Sequence, residues 1–242
     1  TIAQRFQQLG LTQTKTTITG NLKFHHNTPD AYQKNHHTLN QCIQNNPCWI
    51  AASTHPGEEA TILKSHQQIL QQHPNCKLIL APRHPERCHN VTQLITKHQL
   101  SYDTFTNKPK TLMSQILLID TIGELMPCFA IAQAAFIGGS LIPKGGHNLI
   151  EPLLFHLPMA TGPHTFNFAD VHELLQSHQL CTTITDTLSL TEFMLTHLKP
   201  PCNQHQQRCQ QLIDTQQGAL EKHLAIIQPL LKTSHQTSLT EA

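Results

Sequence analysis

A glycine pair that opens an apolar helix is the most distinctive local pattern of the sequence. Gly145 and Gly146 precede His147 and Asn148, and Glu151 follows within the first turn of the helix. Glycines allow a ligand to approach the backbone, and the free N–H groups at the start of a helix attract anions. A carboxylate at Glu151 can accept hydrogen bonds from a ribose diol. The pattern predicts a nucleotide-binding segment, although a glycine turn with a helix-capping asparagine and a solvent-facing glutamate also explains it.

A second pattern follows the apolar run at 49–54. Ser53 and His55 stand at its end, and Glu58 and Glu59 lie in the first turn of the next predicted helix. Polar residues at the end of a buried strand are typical of a ligand site, because parallel strands direct their carboxyl ends to one rim. Carboxylates in a first helical turn also offset the helix dipole without any ligand. For Glu59, a ligand contact and stabilisation of the helix dipole both stay open. For His55, a ligand contact is favoured.

Cationic side chains are few, and their positions differ in meaning. Arg83 follows the apolar segment 77–81 and Pro82, and an arginine at a strand end can hold a phosphate by two parallel hydrogen bonds. Arg87, four residues further on, is interpreted as a surface residue. Lys23 lies in a loop, where a lysine is usually exposed. The residues by themselves therefore favour a phosphate contact at Arg83 and solvent exposure at Lys23.

Composition excludes several classes of protein. The 242 residues include 16 Lys and Arg against 15 Asp and Glu, and the net charge of +1 argues against a nucleic-acid-binding protein. With 38% hydrophobic residues, the chain can bury a sizeable core. No spacing typical of a metal site, a P-loop or a hydrolase nucleophile elbow occurs, so we predict no metal and no cofactor.

Three further features concern the ends, the apolar stretches and the cysteines of the chain. Position 1 is Thr, so we expect a chain that is processed, cut or incomplete, and no signal peptide is visible. Pro127 and the pair Gly138-Gly139 interrupt the apolar stretch 125–142, which favours a helix and a strand over a membrane span. The 8 Cys form no C-x-x-C pair, which is typical of reduced, buried thiols.

Apolar runs alternate with helical patterns along most of the chain. The predicted strands are 49–54, 77–81, 115–119, 134–138, 157–161 and 181–185, and the predicted helices are 57–72, 85–98, 123–132, 148–155, 166–178, 188–198 and 203–231. This alternation predicts an α/β fold, a Rossmann-like parallel sheet with helices on both faces. Before it, residues 17–22 suggest an edge strand and residues 30–42 a helix.

The motifs taken together resemble a known family. They occur in the order TGNLKF at 19–24, WIAASTH at 49–55, GEE at 57–59, PRHPER at 82–87, DTIGEL at 120–125, FIGGSL at 136–141, GGHN at 145–148, EP at 151–152, GPH at 162–164 and NF at 167–168. Over nearly its whole length the chain is thereby similar to the C-terminal portion of the bacterial 3-deoxy-D-manno-octulosonic acid (Kdo) transferases of lipopolysaccharide synthesis. These are two-domain glycosyltransferases, so the resemblance implies the C-terminal half of a GT-B fold.

The resemblance also implies ligands and site residues. The donor would be CMP-Kdo, and the acceptor would be a lipid A precursor. Contacts with CMP are implied for Pro82, Arg83, Ile122, Gly123, Glu124, Asn148, Leu149, Ile150 and Glu151. Secondary contributions are implied for Ser53, His55, Ser140, Gly145 and Gly146. Lys23 matches the lysine that stabilises the transition state in this family.

The domain organisation is likewise implied by the resemblance. Residues 1–48 would be a connector or the end of a mostly missing N-terminal domain, residues 49–232 the CMP-Kdo-binding domain, and residues 233–242 a flexible tail. The general base of the family is a Glu of the N-terminal domain, so we expect this chain alone to lack it. Peripheral membrane contact would also come from the missing part, at the cytoplasmic face of the bacterial inner membrane.

The chain departs from the family pattern at several positions. Ile122 stands where many members have Met, and Leu149 and Ile150 replace the residues usual between Asn and Glu. Both changes leave backbone contacts possible. His25 and His26 replace a usual acidic residue, which changes the polarity of that loop.

Two alternative functions stay open. The chain could be another GT-B enzyme, such as a UDP-sugar epimerase or transferase. It could also be a donor-binding module that is inactive alone. A purely structural protein is disfavoured, because it would not explain glycines and an arginine after successive strands.

Overall fold

The computed structural model describes residues 2–24, 38–44, 46–199 and 202–237. The chain divides into two compact units, one formed by Thr1–Asn27 with Gln210–Ala242 and the other by Thr28–Cys209. These limits differ from those predicted at residues 48 and 232, and the functional division made there stays a prediction. His25 and His26 lie outside the described residues.

Seven strands form the centre of the larger unit. They are β1 (Cys48–Thr54), β2 (Lys77–Pro82), β3 (Tyr102–Thr104), β4 (Ile116–Leu118), β5 (Ala134–Ile137), β6 (Met159–Thr161) and β7 (Cys181–Thr183). Their order in the sheet is β3-β4-β2-β1-β5-β6-β7, and every neighbouring pair is parallel. The predicted parallel sheet is confirmed. β3 was not predicted, because it is a short, polar and partly exposed edge strand.

This order creates a switch point between β1 and β5. From β1 the chain builds one side of the sheet through β2, β3 and β4, and it then returns to the centre to place β5 on the other side of β1. The connections therefore leave β1 and β5 in opposite directions, and a crevice opens outside the carboxyl ends of these strands. β1 ends irregularly, since its register shifts between Ala52 and Thr54 and Ser53 has a φ of 55°.

The core lies between the sheet and its helices. The strands bring in fully buried apolar residues such as Trp49, Leu80 and Phe136. Ile62 and Ile69, which recur at helical spacing, pack on this face. Because the strands are covered on both faces, they read as continuous apolar runs, and this made them recognisable in the sequence.

The α-helices are Ile2–Gln8, Glu59–Gln72, Cys88–Lys97, Leu125–Ile131, Ile150–Leu154, Ala169–Ser177, Thr187–His197, Asn203–Gln216 and Ala219–Thr237. Residues 38–43 are also helical, and residues 30–37 of the predicted helix 30–42 lie outside the described part. The short 3-10 helices Pro85–Arg87 and Phe166–Phe168 precede two of the helices. Six of the eight cysteines are buried, as predicted, while Cys88 is half-buried and Cys202 is exposed.

Two predictions about the smaller unit and the C-terminal part were wrong. The helix predicted over 203–231 is two helices, because Gly218 interrupts it with a φ of 84°. Residues 17–21 are not a strand, and Leu22–Phe24 is a 3-10 helix. The last helix extends to Thr237, residues 238–242 lie outside the described part, and the flexible tail at 233–242 stays a prediction.

Contacts within the smaller unit join its two chain segments. Thr19 Oγ1 lies 3.0 Å from His223 Nε2, and a Cβ atom on Gly20 would lie 3.1 Å from the Cβ of Ala219. Apolar side chains of the last helix, among them Leu230 and Leu231, are exposed. Within the described residues, no helix is both long enough and apolar enough to cross a membrane.

Candidate functional site

A small cavity collects six of the predicted site residues. Three strand ends line it together, those of β1, β2 and β4, and its volume is about 70 Å³. The predicted residues in its wall are Ser53, Pro82, Arg83, Ile122, Gly123 and Glu124. The tertiary structure thus unites residues that are far apart in the sequence, at the rim where a parallel sheet binds ligands.

Arg83 is the cation of this cavity. Its backbone N–H donates to the carbonyl of Thr54 at 3.0 Å, which fixes the start of the loop after β2 against the end of β1. Its side chain is exposed, and its guanidinium has no hydrogen-bond partner among the described residues. A positioned and unpaired guanidinium can bind a phosphate or carboxylate through two hydrogen bonds.

The loop after β4 forms the opposite wall. Asp120 holds it, because one carboxylate oxygen accepts the N–H of Thr106 at 3.0 Å and the other accepts the Thr106 hydroxyl. Gly123 has a φ of 93°, and Ile122 exposes 85% of its surface. The buried Thr121 hydroxyl has no hydrogen-bond partner within the described part of the chain. An unpaired hydroxyl in the wall of a cavity is available to a polar ligand.

The segment 148–151 is built around a contact between its own side chains. Asn148 Oδ1 accepts the backbone N–H of Ile150 at 3.0 Å, and Asn148 Nδ2 donates to Glu151 Oε1 at 3.0 Å. The prediction of free N–H groups at this helix start is therefore wrong for Ile150, because the Asn148 side chain accepts its N–H. Glu151 is half-buried rather than solvent-facing. Its second carboxylate oxygen has no partner among the described residues and can accept a ribose hydroxyl.

Leu149 and Ile150 are buried in the core, so only their backbone can contribute to a site. This segment does not line the cavity described above. The segment follows β5, however, and β5 lies beside β1 in the sheet. It therefore lies at the same edge of the sheet as the cavity.

The glycine pair before this segment is shaped by the protein itself. Gly145 and Gly146 have φ values of 91° and 75°. A Cβ atom on Gly145 would overlap the side chain of Asn167 and lie 2.6 Å from the ring of Phe166. Asn167 also donates its backbone N–H to the carbonyl of Gly145 at 3.0 Å. Glycine is thus required here because the backbone packs closely against residues 166–167 of the same chain. This requirement does not depend on a ligand.

Glu58 organises the switch point. Its buried carboxylate accepts four backbone N–H groups, two on each oxygen. The donors are His55, Gly139, Ser140 and Leu141, at 2.8 to 3.0 Å. The loop after β1 is thereby tied to the loop after β5. The sequence places Glu58 in a motif that a ligand site or the helix dipole could explain, and the structure shows a third role, the positioning of two loops.

Two glycines allow these loops to approach each other. A Cβ atom on Gly138 would lie 2.6 Å from the carbonyl oxygen of Ser53 and 2.9 Å from Glu58 Oε2. A Cβ atom on Gly162 would overlap the backbone of Ser140. Ser140 is itself buried, and its hydroxyl accepts the N–H of Gly162 at 2.8 Å while donating to Ile137. This hydroxyl joins the loops after β5 and β6, and its predicted contact with a ligand stays a prediction.

Glu59 belongs to a buried ion pair. Its Oε1 accepts hydrogen bonds from Arg87 at 3.0 Å and from the Thr54 hydroxyl at 3.1 Å, and Arg87 also donates to the Thr54 carbonyl. The side chain of Arg87 is 18% exposed, so its interpretation as a surface residue was wrong. Burial raises the pKa of Glu59, and the Arg87 charge acts in the opposite direction. Both residues stabilise the end of β1.

Two histidines meet over Gly139. His55 Nε2 lies 2.8 Å from His147 Nε2, so one ring donates and the other accepts. Burial first, and then the nearby His55, Arg83 and His84, lower the pKa of His147 to about 4. Burial also lowers the pKa of His55, and Glu58 opposes this shift. Both imidazoles are therefore neutral near pH 7.

Lys23 lies in the other compact unit, in the 3-10 helix Leu22–Phe24. Its role stays a prediction. The residues that the sequence reasoning missed are the partners of predicted ones, chiefly Glu58, His147 and Thr121. The sequence did carry a sign of their importance, because each of the three lies within or directly beside a motif that follows a strand. Nothing local, however, indicated which side chain each of them would meet.

Several known proteins that are similar in sequence carry the same description. A 3-deoxy-D-manno-octulosonic acid transferase of Haemophilus influenzae is 37% identical over 237 residues, which are 95% of this chain and 55% of that protein. One of Rickettsia felis is 28% identical over 94% of this chain and 50% of that protein. The chain thus spans about half the length of the curated relatives it matches. No protein-family model matches the sequence.

Solved structures agree with these relatives. The C-terminal CMP-Kdo binding domain of WaaA from Acinetobacter baumannii is 28% identical, with a TM-score of 0.66 over 78% of this chain and 98% of that one. Anabaena HepE in complex with UDP-glucose has a TM-score of 0.55 and 14% identity, over 95% of this chain and 61% of that one. At this identity HepE shows the fold alone. The predicted GT-B type of fold and the resemblance seen in the motifs are confirmed.

Proposed function

We propose that this chain, a homologue of the C-terminal portion of the Kdo transferases, binds the CMP-Kdo donor of such an enzyme. The observation that carries the proposal is the cavity formed by Pro82, Arg83 and residues 122–124, since these are the positions at which the resemblance implies CMP contacts. The similarity to the CMP-Kdo binding domain of WaaA supports it further. Glu151 would hold the ribose through its unpaired carboxylate oxygen.

In the complete enzyme, we propose transfer of Kdo from CMP-Kdo to a lipid A precursor. A base removes the proton of an acceptor hydroxyl, whose oxygen attacks the anomeric carbon of Kdo with inversion. The bond from that carbon to the phosphate oxygen breaks, and CMP leaves with the electron pair. The resemblance assigns the base to a Glu of the N-terminal domain. In this chain, Arg83 would offset the charge that develops on the leaving phosphate, an effect of a few kcal/mol for a well-placed donor. The resemblance separately implies that Lys23 stabilises the transition state.

The proposed place of action is the cytoplasmic face of the bacterial inner membrane. The resemblance implies that a peripheral contact through the N-terminal part brings the enzyme to its lipid acceptor.

Calorimetric titration with CMP and with UMP tests the donor proposal. We expect CMP to bind at least about tenfold more tightly, the effect of one well-made hydrogen bond to the base. Cytidine without phosphate should bind weakly, because it cannot contact Arg83. Tighter binding of UMP would contradict the CMP-Kdo assignment and favour a UDP-sugar enzyme.

A narrower function, donor binding without catalysis by this chain alone, is favoured by one observation. The chain covers 98% of a WaaA structure that consists of the CMP-Kdo binding domain. We therefore expect the isolated chain to bind CMP but to show no Kdo transfer to a lipid A precursor. Turnover comparable to that of a complete relative, assayed in parallel, would contradict the assignment of the base to another domain.

A further inference from the structure

The hydrogen bond between His55 and His147 leaves defined atoms for a ligand. The ring planes are nearly parallel, at an interplanar angle of 2° with the ring centres 5.0 Å apart, and the rings meet through their Nε2 atoms. In the neutral pair, one ring therefore carries its proton on Nε2 and the other on Nδ1. Among the described residues, neither Nδ1 atom has a hydrogen-bond partner. The pair thus offers one free N–H donor and one free nitrogen lone pair.

The position of the pair is fixed by the same contacts that join the two loops. A Cβ atom on Gly139 would lie 3.0 Å from the ring of His147 and 3.4 Å from that of His55. The backbone N–H groups of Gly139 and His55 both donate to Glu58 Oε2, at 2.8 and 2.9 Å. Both rings therefore lie against the backbone of Gly139, which the Glu58 carboxylate holds in place. This arrangement preorganises the rings for a ligand.

The charges around the pair are mostly positive. The groups that face it are Arg83, His84, Arg87 and Lys144, together with the carboxylate of Glu58. Glu58 keeps its negative charge and raises the pKa of His55, while Arg87 is paired with Glu59. Arg83 and Lys144 have no ion-pair partner within the described residues. The balance of charge at this place therefore favours an anion.

The pair also lies at the switch point of the sheet. His55 follows β1 directly, and His147 belongs to the connection that follows β5. Ligands of open parallel sheets bind outside the carboxyl ends of the strands at such a point.

We propose that the His55–His147 pair binds an anionic group of the donor and takes up one proton from solvent as it does so. The inference rests on the proposed donor site. The proton adds to the free Nδ1 lone pair, so that the pair becomes an imidazole joined to an imidazolium, and the anion accepts the hydrogen bond of one Nδ1–H group beside the new positive charge. The anion is either the phosphodiester or the sugar carboxylate of the nucleotide-activated acid. Because burial, and then the nearby cations, hold the free pair neutral, the arriving negative charge makes protonation favourable.

Titration calorimetry in two buffers of different ionisation enthalpy counts the protons taken up. The probe is the methyl ester of CMP, a phosphodiester whose single charge does not titrate near neutrality. At about pH 6, near the ordinary pKa of histidine, we expect net uptake of up to about one proton per bound ester. Free Kdo, added as a second probe, distinguishes a carboxylate site from a phosphate site by which of the two produces the uptake.

Matched variants assign the proton. H147Q and H55Q should each bind the ester about tenfold more weakly and lose the buffer-dependent enthalpy, because glutamine donates a hydrogen bond but does not titrate. H89Q, at an exposed histidine of the helix Cys88–Lys97, should behave as the unchanged protein. Circular dichroism checks that each variant is folded.

The outcomes separate this inference from the proposed function. Tight ester binding without proton uptake, or uptake that persists in both variants, would overturn the role of the pair while leaving the donor site intact. Absence of binding to CMP and its ester by the unchanged protein would overturn the donor site itself.

Discussion

Glu58 Oε1 lies 3.0 Å from the backbone nitrogen of Ser140, and this contact joins residues 82 positions apart in the sequence. It links the connection after β1 to the one after β5, the two strands between which the sheet order reverses. A carboxylate that accepts backbone N–H groups from both loops keeps their backbone fixed without any ligand. The following predictions concern this arrangement and the groups around it.

Replacing Glu58 by Gln should destabilise the protein strongly. The amide nitrogen of glutamine would face two backbone N–H donors, which would be left buried and unpaired. We expect a loss of about 2 to 4 kcal/mol in the free energy of unfolding, measured by urea denaturation. E86Q is the matched control at an exposed glutamate, with an expected change below about 0.5 kcal/mol. Equal stability of the two variants would contradict a structural role for the Glu58 carboxylate.

Replacing Arg87 by Met should make stability depend on pH in a defined direction. Without the guanidinium, the buried Glu59 carboxylate loses its counter-charge, and its pKa, already raised by burial, rises further. A raised carboxyl pKa means that stability is fully present below about 4.5, the ordinary value, and is lost as pH rises through the folded-state pKa. We expect a destabilisation of about 3 kcal/mol near pH 7 that shrinks in acid. The double variant R87M/E59Q should recover much of it, and a loss independent of pH would argue against this explanation.

His66 should contribute to destabilisation in acid. It is fully buried beside Trp49, whose Nε1 donates to its Nδ1 at 3.2 Å, and burial lowers its pKa to about 4. The unfolded chain binds a proton near pH 6.5, so stability is full above that pH and is lost as pH falls towards 4. The loss from this residue is roughly 3 kcal/mol.

The variant H66Q, which cannot titrate, isolates this contribution. Its unfolding free energy should fall less steeply between about pH 6.5 and pH 4 than that of the unchanged protein. H89Q serves as the control with an unchanged slope. Parallel curves for H66Q and the unchanged protein would show that His66 does not carry the effect.

Replacing Arg83 by Ala should weaken binding of CMP without loss of stability. Its guanidinium is exposed, and its structural contact is made by the backbone, which the substitution keeps. We expect about tenfold or greater loss of CMP affinity in calorimetry, with recovery of only part of it in R83K, because lysine cannot form two parallel bonds. K97A, at the end of a helix, is the control for loss of a positive charge. Unchanged CMP affinity in R83A would remove Arg83 from the donor site.

Local patterns in the sequence were sufficient for six of the seven strands and for the residues that follow them. Apolar runs such as 77–81 become strands because burial on both faces requires continuous apolar residues, and Pro82 and Arg83 follow directly from that position. Helix limits were less accurate, since the break at Gly218 depends on one residue within an otherwise helical pattern. β3 escaped notice because a short edge strand needs few apolar side chains.

The tertiary structure alone decided which of these residues meet. The sequence by itself determined the alternation of elements, the motif positions and the resemblance that they carry. It did not determine that Glu58 holds Ser140, that Arg87 pairs with Glu59, or that His55 meets His147. Such contacts depend on the order of strands in the sheet, which follows from how helices cover both faces and not from the preferences of neighbouring residues. For that reason Ser140, which the resemblance implies as a ligand contact, links two loops in the structure. His147, which the sequence indicates only as part of a glycine motif, forms a hydrogen bond with His55.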